Sequence, residues 1–574
     1  MSERDATTAF ATALVDEWAR AGVRHAVVSP GSRNAPLVLA LARDGRLQVD
    51  VVLDERSAGF RALGVGRATG IPAIVCCTSG SAATNLLPAV VEAHHGRVPL
   101  VVCTADRPPE LRDTGAGQTI DQTALYGTAV RWFCDPGPPI DQPDAGAVWR
   151  SLASRAFAAA VGAPPGPVHL NLPFREPLVP TGAPLVDAPG RADGAPWTVA
   201  ESPRVHARAE VVERLAEHVR RHERGVLVVG WGAEVAPSTV DAFARATGWP
   251  VLADAISGQR RGPHVVSTYE ALLRAPGFAA HRPEVVVRIG APLTSKVANA
   301  WLGRATRQVV VDPYAGWLDP AHTASELVVG TPEQVLDAVV RVMGDRAAAT
   351  AWSDAWHDAE RRARWAIDAV LDSAEAAYEG RILRDVAAAI RDDATLAVAS
   401  SLPVRALEWC MAPRDGLRVL ANRGTNGIDG FVSTVMGVAA SGRPVVGVCG
   451  DLCFLHDTNG LLGANDRGAD SAPATFVVID NDGGGIFSFL PPAELDEFET
   501  LFATPQGVDL VTVARAHGVD AERLDDLGAL KGDVLGDGVT VLVVPVDREA
   551  SVARHRALWE AVAAAVGGNE RASD

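Results

Sequence analysis

Short β-branched apolar runs recur along the chain, separated by segments of helical periodicity. The helix-period stretch Thr8–Ala21 carries Phe10, Leu14 and Trp18 on one face and leads into the run His25–Val28. Val49–Leu53, Pro72–Thr78 and Pro99–Thr104 follow. The rhythm resumes at Gly225–Val229, Pro250–Leu252, Val285–Ile289 and Gln308–Val311. It returns at Leu396–Ser400, Pro444–Cys449, Thr475–Ile479 and Val539–Val544. Runs this apolar are buried on both faces, and their alternation with helices predicts doubly wound parallel sheets. The expected fold class is α/β, with three such domains at 1–185, 200–345 and 379–574. Val539–Val544 is expected to close the last sheet. Residues 179–199 are Pro/Gly-rich and read as a linker. Residues 346–378, with Trp352, Trp356, Trp365 and Ile367 among many charges, read as an amphipathic helix or helix pair between domains.

Composition narrows the function. Over 574 residues, 48% are hydrophobic and 21% charged, which suits a large globular core. The net charge of −17, with no basic block, argues against nucleic acid or an anionic membrane as a partner. No signal peptide and no membrane-spanning run are legible, so a cytoplasmic protein without membrane insertion is expected. The seven cysteines form no CxxC pair and read as reduced, buried thiols. Cys449 and Cys453 are two lone thiols and make no zinc site. The chain has two lysines against 51 arginines, so Lys296, inside the loop Gly290–Lys296, stands out.

Ligands of open parallel sheets bind beyond the carboxyl ends of the strands. Pro444–Cys449 runs into Gly450-Asp451, and Thr475–Ile479 into Asp480-Asn481. Asp451 and the amide oxygen of Asn481 would then meet at one edge, with glycines alongside. That pairing suits Mg²⁺ holding a diphosphate, the alternative being a plain strand pair with acidic loop ends. The pattern resembles the Gly-Asp-Gly…Asn-Asn signature of thiamine-diphosphate enzymes, with Leu452 and Asp480 as departures. Ser29–Asn34 is a Ser/Gly turn opening a helix, which suits an anion or a plain cap beside a surface Arg33. Glu55 lies where a strand enters a helix, ordinarily a surface position favoured by the dipole. Ser79–Asn85 is a small-residue loop entering a helix, and Gly115–Gln122 reads as a loop into another. Gly230-Trp231-Gly232 lacks the further glycine of a dinucleotide loop.

Five motifs then occur in order: Ser-Pro-Gly-Ser-Arg (29–33), Asp-Glu-Arg-x-x-Gly-Phe-x-Ala-Leu-Gly (54–64), Thr-Ala-Asp-Arg-Pro-Pro-Glu-Leu (104–111), Gly-Ala-x-Gln-x-Ile (115–120) and Asn-Arg-Gly-x-x-Gly-Ile-Asp-Gly (422–430). By these the whole chain resembles the MenD family, the 2-succinyl-5-enolpyruvyl-6-hydroxy-3-cyclohexene-1-carboxylate synthases of menaquinone biosynthesis. The resemblance implies a transferase that decarboxylates 2-oxoglutarate and adds the resulting succinyl carbanion equivalent to isochorismate. It implies thiamine diphosphate bound between the first domain of one subunit and the third of another, hence a homodimer or homotetramer with active sites at the subunit interface. Mg²⁺, with Mn²⁺ as the alternative, would be held by Asp451, Asn481 and the carbonyl of Gly483. Ile428 would be the wedge under the cofactor, with Gly450, Leu452 and Ile486 beside it. Glu55 would share a proton with the pyrimidine N1′. Ser32, Arg33, Arg107, Gln118, Lys296, Ser401, Arg405 and Arg423 would meet the substrate carboxylates, with Phe487 as an apolar wall. The departures are Gly117, where Asn is expected, and Val297, where some relatives carry a second cation. An acetolactate-synthase-like carboligase is disfavoured by the arginines and by the lack of a flavin signature. A non-catalytic relative is disfavoured by Glu55, Asp451 and Asn481 together.

Overall fold

The computed structural model describes residues 4–344, 350–373, 376–465 and 471–567. Three parallel sheets carry the chain. The first comprises β1 (His25–Val28), β2 (Gln48–Val51), β3 (Ala73–Cys77), β4 (Leu100–Asp106), β5 (Trp132–Cys134) and β6 (Pro167–Pro173), in the order β2-β1-β3-β4-β6-β5. The second comprises β7 (Gly225–Val229), β8 (Val251–Ala253), β9 (Val285–Ile289), β10 (Arg307–Asp312) and β11 (Glu326–Val329), in the order β11-β10-β9-β7-β8. The third comprises β12 (Thr395–Val398), β13 (Arg418–Leu420), β14 (Val445–Gly450), β15 (Ala474–Asp480), β16 (Asp520–Arg523) and β17 (Val539–Pro545), in the order β13-β12-β14-β15-β17-β16. The central strands β3, β4, β6, β7 and β9 are buried along their whole length, and β3 and β7 are apolar throughout.

Some details differ from the sequence reading. The last sheet closes on β16, not on Val539–Val544; Asp-Ala-Glu-Arg is polar because an edge strand buries little. The Gly115–Gln122 loop leads to turns, a 3₁₀ turn at Gly127–Ala129 and β5, not to a helix. The helix after β12 starts at Leu402, with Pro403 in its first turn. In the connector the expected helix is present, spanning Ala351–Asp372 behind a Thr350/Ser353 capping box. Trp352 and Trp356 enter the core shared by the second and third sheets, whereas Trp365 is 74% exposed. Residues 346–349 and 374–375 of that connector lie outside the described residues.

Domain contacts are close. The 179–199 segment forms no helix or strand and lies on the first domain, where Trp197 N–H donates to the buried carboxylate of Glu17. Gly230 is explained by packing, since a Cβ there would overlap the Ala291 carbonyl. Between the first and third domains, helix Glu55–Thr69 packs on helix Phe431–Ala440 with backbones touching. A Cβ on Gly64 would overlap the Thr434 carbonyl oxygen, and one on Gly437 the Arg61 carbonyl oxygen. Among the described residues no helix is long and apolar enough to cross a membrane.

Ala in place of Gly within a helix ordinarily stabilises by about 0.5–1 kcal/mol. Here Gly437→Ala must push two buried helices apart, so a loss of about 1–3 kcal/mol is expected. Thermal and denaturant unfolding check the sign: an unchanged or raised Tm would contradict the packing described.

Candidate active site

In the third sheet the chain reverses direction of winding between β12 and β14, and ligands of such sheets enter at that point. A cavity of about 150 Å³ lies there, beyond the ends of both strands. Ser401, Ile428, Gly450, Asp451, Leu452, Asn481, Gly483, Ile486 and Phe487 all line it. Ser401 has φ +73°, a strained backbone at the turn from β12 into its helix. Gly483 has φ +130°, and a Cβ on it would overlap the Ala503 carbonyl, so this turn requires glycine.

The polar groups of the cavity suit a hard cation. Asp451 is 5% exposed, and burial pushes its carboxyl up to about 6. Asp480 and Asp482 push the same way, against the backbone N–H groups of Leu452 and Gly483. Gly483 N–H donates to Asp451 Oδ2 at 2.6 Å. Asn481 donates its amide Nδ2–H to Glu379 at 2.9 Å, while its Oδ1 is buried with no hydrogen-bond partner among the described residues. A buried carboxylate lacking a counter-charge beside an orphaned carbonyl oxygen is what an oxygen-liganded Mg²⁺ would relieve. Among the described residues no cluster of three His, Cys, Asp or Glu could hold a metal. A cation here would therefore rest on one carboxylate, one amide and backbone oxygen, leaving positions for phosphate.

A second cavity, of about 210 Å³, shares the wall residue Ile486 with the first. Lys296 and Arg405 line it, with Glu270, Glu408 and Trp409. Arg405 donates to the Ser401 carbonyl at 2.6 Å, and burial, then the neighbouring Arg423, lowers its pKa. Arg423 lies on a different cavity, of about 720 Å³, among all three domains. Among the described residues neither Arg405, Arg423 nor Lys296 forms an ion pair with a carboxylate, so these cations are uncommitted.

The remaining sequence-predicted residues gather on the first sheet, whose winding reverses between β1 and β3. Arg33 is buried and donates to the Phe174 carbonyl at 2.9 Å; burial, then Arg107, lowers its pKa. Arg107 donates to Ser79 Oγ at 2.9 Å. Ser32 is exposed, and so is Gln118, whose φ of +55° sets it against Gly80. Glu55 is the first residue of its helix, capped by Asp54. Glu55 is not among the described residues lining the Asp451 cavity. Its neighbours are tied to the segment after Asp451: Asn459 donates to Asp54 at 2.9 Å, Ser57 to Asp457 at 3.1 Å, and Arg56 to the His456 carbonyl at 2.7 Å. The single chain thus holds the predicted residues in separate groups, one on the first sheet and the others at the third sheet, where Lys296 of the second domain joins them.

Two residues that the sequence reading did not single out hold these groups in place. Glu92 is buried and accepts four hydrogen bonds, from Arg67, Gly424 N, Thr425 N and Thr425 Oγ1, at 2.7–3.0 Å. It thereby clasps the glycine-rich segment that carries Arg423 and Ile428. An acid inside the apolar helix Leu87–His95 was the available signal. Glu379, against Asn481, follows Tyr378 at a helix start and gave no signal.

Residues 8–125 match the family described as thiamine pyrophosphate enzyme, N-terminal TPP binding domain. Residues 192–397 match the middle domain of thiamine pyrophosphate enzymes, and 411–543 the C-terminal TPP binding domain. A 2-succinyl-5-enolpyruvyl-6-hydroxy-3-cyclohexene-1-carboxylate synthase of Thermobifida fusca (strain YX) is 45% identical over 98% of this chain and 99% of its own. Proteins of the same name from Myxococcus xanthus (strain DK1622) and Chloroflexus aurantiacus (strain ATCC 29366 / DSM 635 / J-10-fl) are 42% and 43% identical. The first match covers 99% of both chains, the second 98% of this chain and 97% of its relative.

Glu92→Ala would strand two backbone N–H groups and the Arg67 guanidinium. A stability loss of about 3–5 kcal/mol is expected in denaturant unfolding. A loss below about 1 kcal/mol would show that the clasp is dispensable.

Proposed function

The chain belongs to the family of 2-succinyl-5-enolpyruvyl-6-hydroxy-3-cyclohexene-1-carboxylate synthases, and we propose that its three-domain fold performs that family's reaction with the residues gathered on the first and third sheets. The substrates are 2-oxoglutarate and isochorismate, and the product belongs to menaquinone biosynthesis. When bound, thiamine diphosphate supplies the electron sink for loss of CO₂ from the 2-oxo acid. Asp451, Asn481 and the Gly483 carbonyl would hold its Mg²⁺, or Mn²⁺ in its place. Ile428 would shape the cavity beneath it, beside Gly450, Leu452 and Ile486.

One observation carries this reading: the acid-and-amide cavity adjoins, through Ile486, a cavity bearing uncommitted cations. A metal–diphosphate site would then adjoin a site for carboxylates. Lys296 and Arg405, with Arg423 nearby, would bind and orient the two dicarboxylates, in part through bidentate pairing. Ser401 would add a hydroxyl and Phe487 an apolar wall. Several cations together favour dicarboxylates over the monocarboxylate 2-oxo acids of an acetolactate-type carboligase.

Glu55, Ser32, Arg33, Arg107 and Gln118 would complete the site from another subunit. The apolar residues Val51 (66% exposed) and Leu53 (68%) beside Glu55, and Leu495 and Leu501 beyond Phe487, support a covering surface there. Glu55 would hold the proton shared with the pyrimidine N1′, and the closed interface would exclude water. The enzyme would work as a homodimer or homotetramer in the cytoplasm.

The test is a turnover assay with protein, thiamine diphosphate, Mg²⁺ and 2-oxoglutarate, following the consumption of added isochorismate. Wild-type protein should consume it only with all components present, and no such turnover would overturn the reading. Glu55→Gln should bind cofactor nearly as wild type while turnover falls by a factor on the order of 10²–10⁴. Near-normal turnover in that variant would remove Glu55 from its role.

A further inference from the structure

A primary amide has two ends of nearly equal size and opposite hydrogen-bonding character. Asn481 can serve a cation only if its oxygen, not its NH₂, faces the cavity. Its NH₂ donates at 2.9 Å to Oε1 of Glu379, which leaves Oδ1 as the buried, unpartnered atom. Glu379 is 1% exposed, and as a carboxylate it only accepts. Its second oxygen accepts the Ser551 hydroxyl, from the helix Arg548–Gly567. Both oxygens are therefore committed, and rotation of the Asn481 amide would set oxygen against oxygen. Gly485 leaves the room: a Cβ there would stand 2.5 Å from Asn481 Nδ2. Glu379 also opens the helix Glu379–Ala389, where the dipole favours negative charge.

We propose that Glu379 is a positioning residue that fixes the orientation of the Asn481 amide, so that its carbonyl oxygen is presented to the metal of the cofactor. Ser551 holds Glu379 in that role from the C-terminal helix. The proposal rests on the reading of Asn481 as a metal ligand. It differs from a ligand role for Glu379 itself, which also lines the cavity.

Calorimetric titration of Mg²⁺ into the protein with saturating thiamine diphosphate separates these possibilities without measuring activity. Glu379→Leu removes the acceptor and should weaken Mg²⁺ by about 10–100-fold, the usual cost of losing a partner that orients a ligand. Glu379→Gln keeps an acceptor oxygen for Asn481 Nδ2 and should stay within about threefold of wild type. Ser551→Ala loosens Glu379 without entering the cavity and should weaken Mg²⁺ by several-fold, which keeps a test in hand if Glu379→Leu does not fold. Wild-type affinity in both Glu379→Leu and Ser551→Ala would overturn the proposal. So would equal weakening by Gln and Leu, which would make Glu379 a ligand or a needed charge. Wild-type protein that takes up no Mg²⁺ with the cofactor would instead overturn the metal reading beneath it.

Discussion

The contact of Gly64 with Gly437 decides what a single chain can build. It lets helix Glu55–Thr69 and helix Phe431–Ala440 meet backbone to backbone, at a distance no side chain would allow. Glu55 opens the first of these helices, so the same contact fixes the start of that helix beside its own third domain. Bonds from Asp54, Arg56 and Ser57 to residues 456–459 hold it there. Glu92 adds a second tie, from the first domain to the Gly424-Thr425 backbone. Within one chain the two sheet edges are thereby locked, with Glu55 apart from the residues lining the Asp451 cavity. The composite site proposed between subunits accords with that rigidity.

Charge placement follows the same logic on a chain of net charge −17. Burial lowers the pKa of Arg33 and of Arg405, and a neighbouring cation, Arg107 for the first and Arg423 for the second, pushes the same way. Asp451, held up to about 6, is the acidic counterpart. Like charges gathered in partly buried positions destabilise the free protein, and anionic ligands with a cation would relieve them. Such a site is organised before its ligands arrive, which is where binding sites gain most.

The sheets were legible because parallel strands buried on both faces need continuous apolar runs. The β14 and β15 ends were legible because an acid or amide directly after such a run has few other uses. The elements that escaped had weak patterns. β16 is an edge strand with one buried residue, Ala521, so its sequence is polar. The loop after Gly115 has the small residues of a helix start without a helix behind it. Motif resemblance named Arg423 together with Arg405, yet the fold sets them on different cavities. Glu92 acts through partners more than 300 residues away in another domain and Glu379 through partners more than 100 residues away, a relation that local pattern does not encode.

Subunit complementation tests the composite site most directly. Glu55→Gln damages only the first-domain half and Asp451→Asn only the third-domain half. A mixed dimer of the two would carry one fully damaged site and one intact site. Co-expressed at equal amounts, the two inactive variants should recover about one quarter of wild-type turnover, since random pairing makes half the dimers mixed. A mixture as inactive as either parent would show that both halves come from the same chain and would contradict the account.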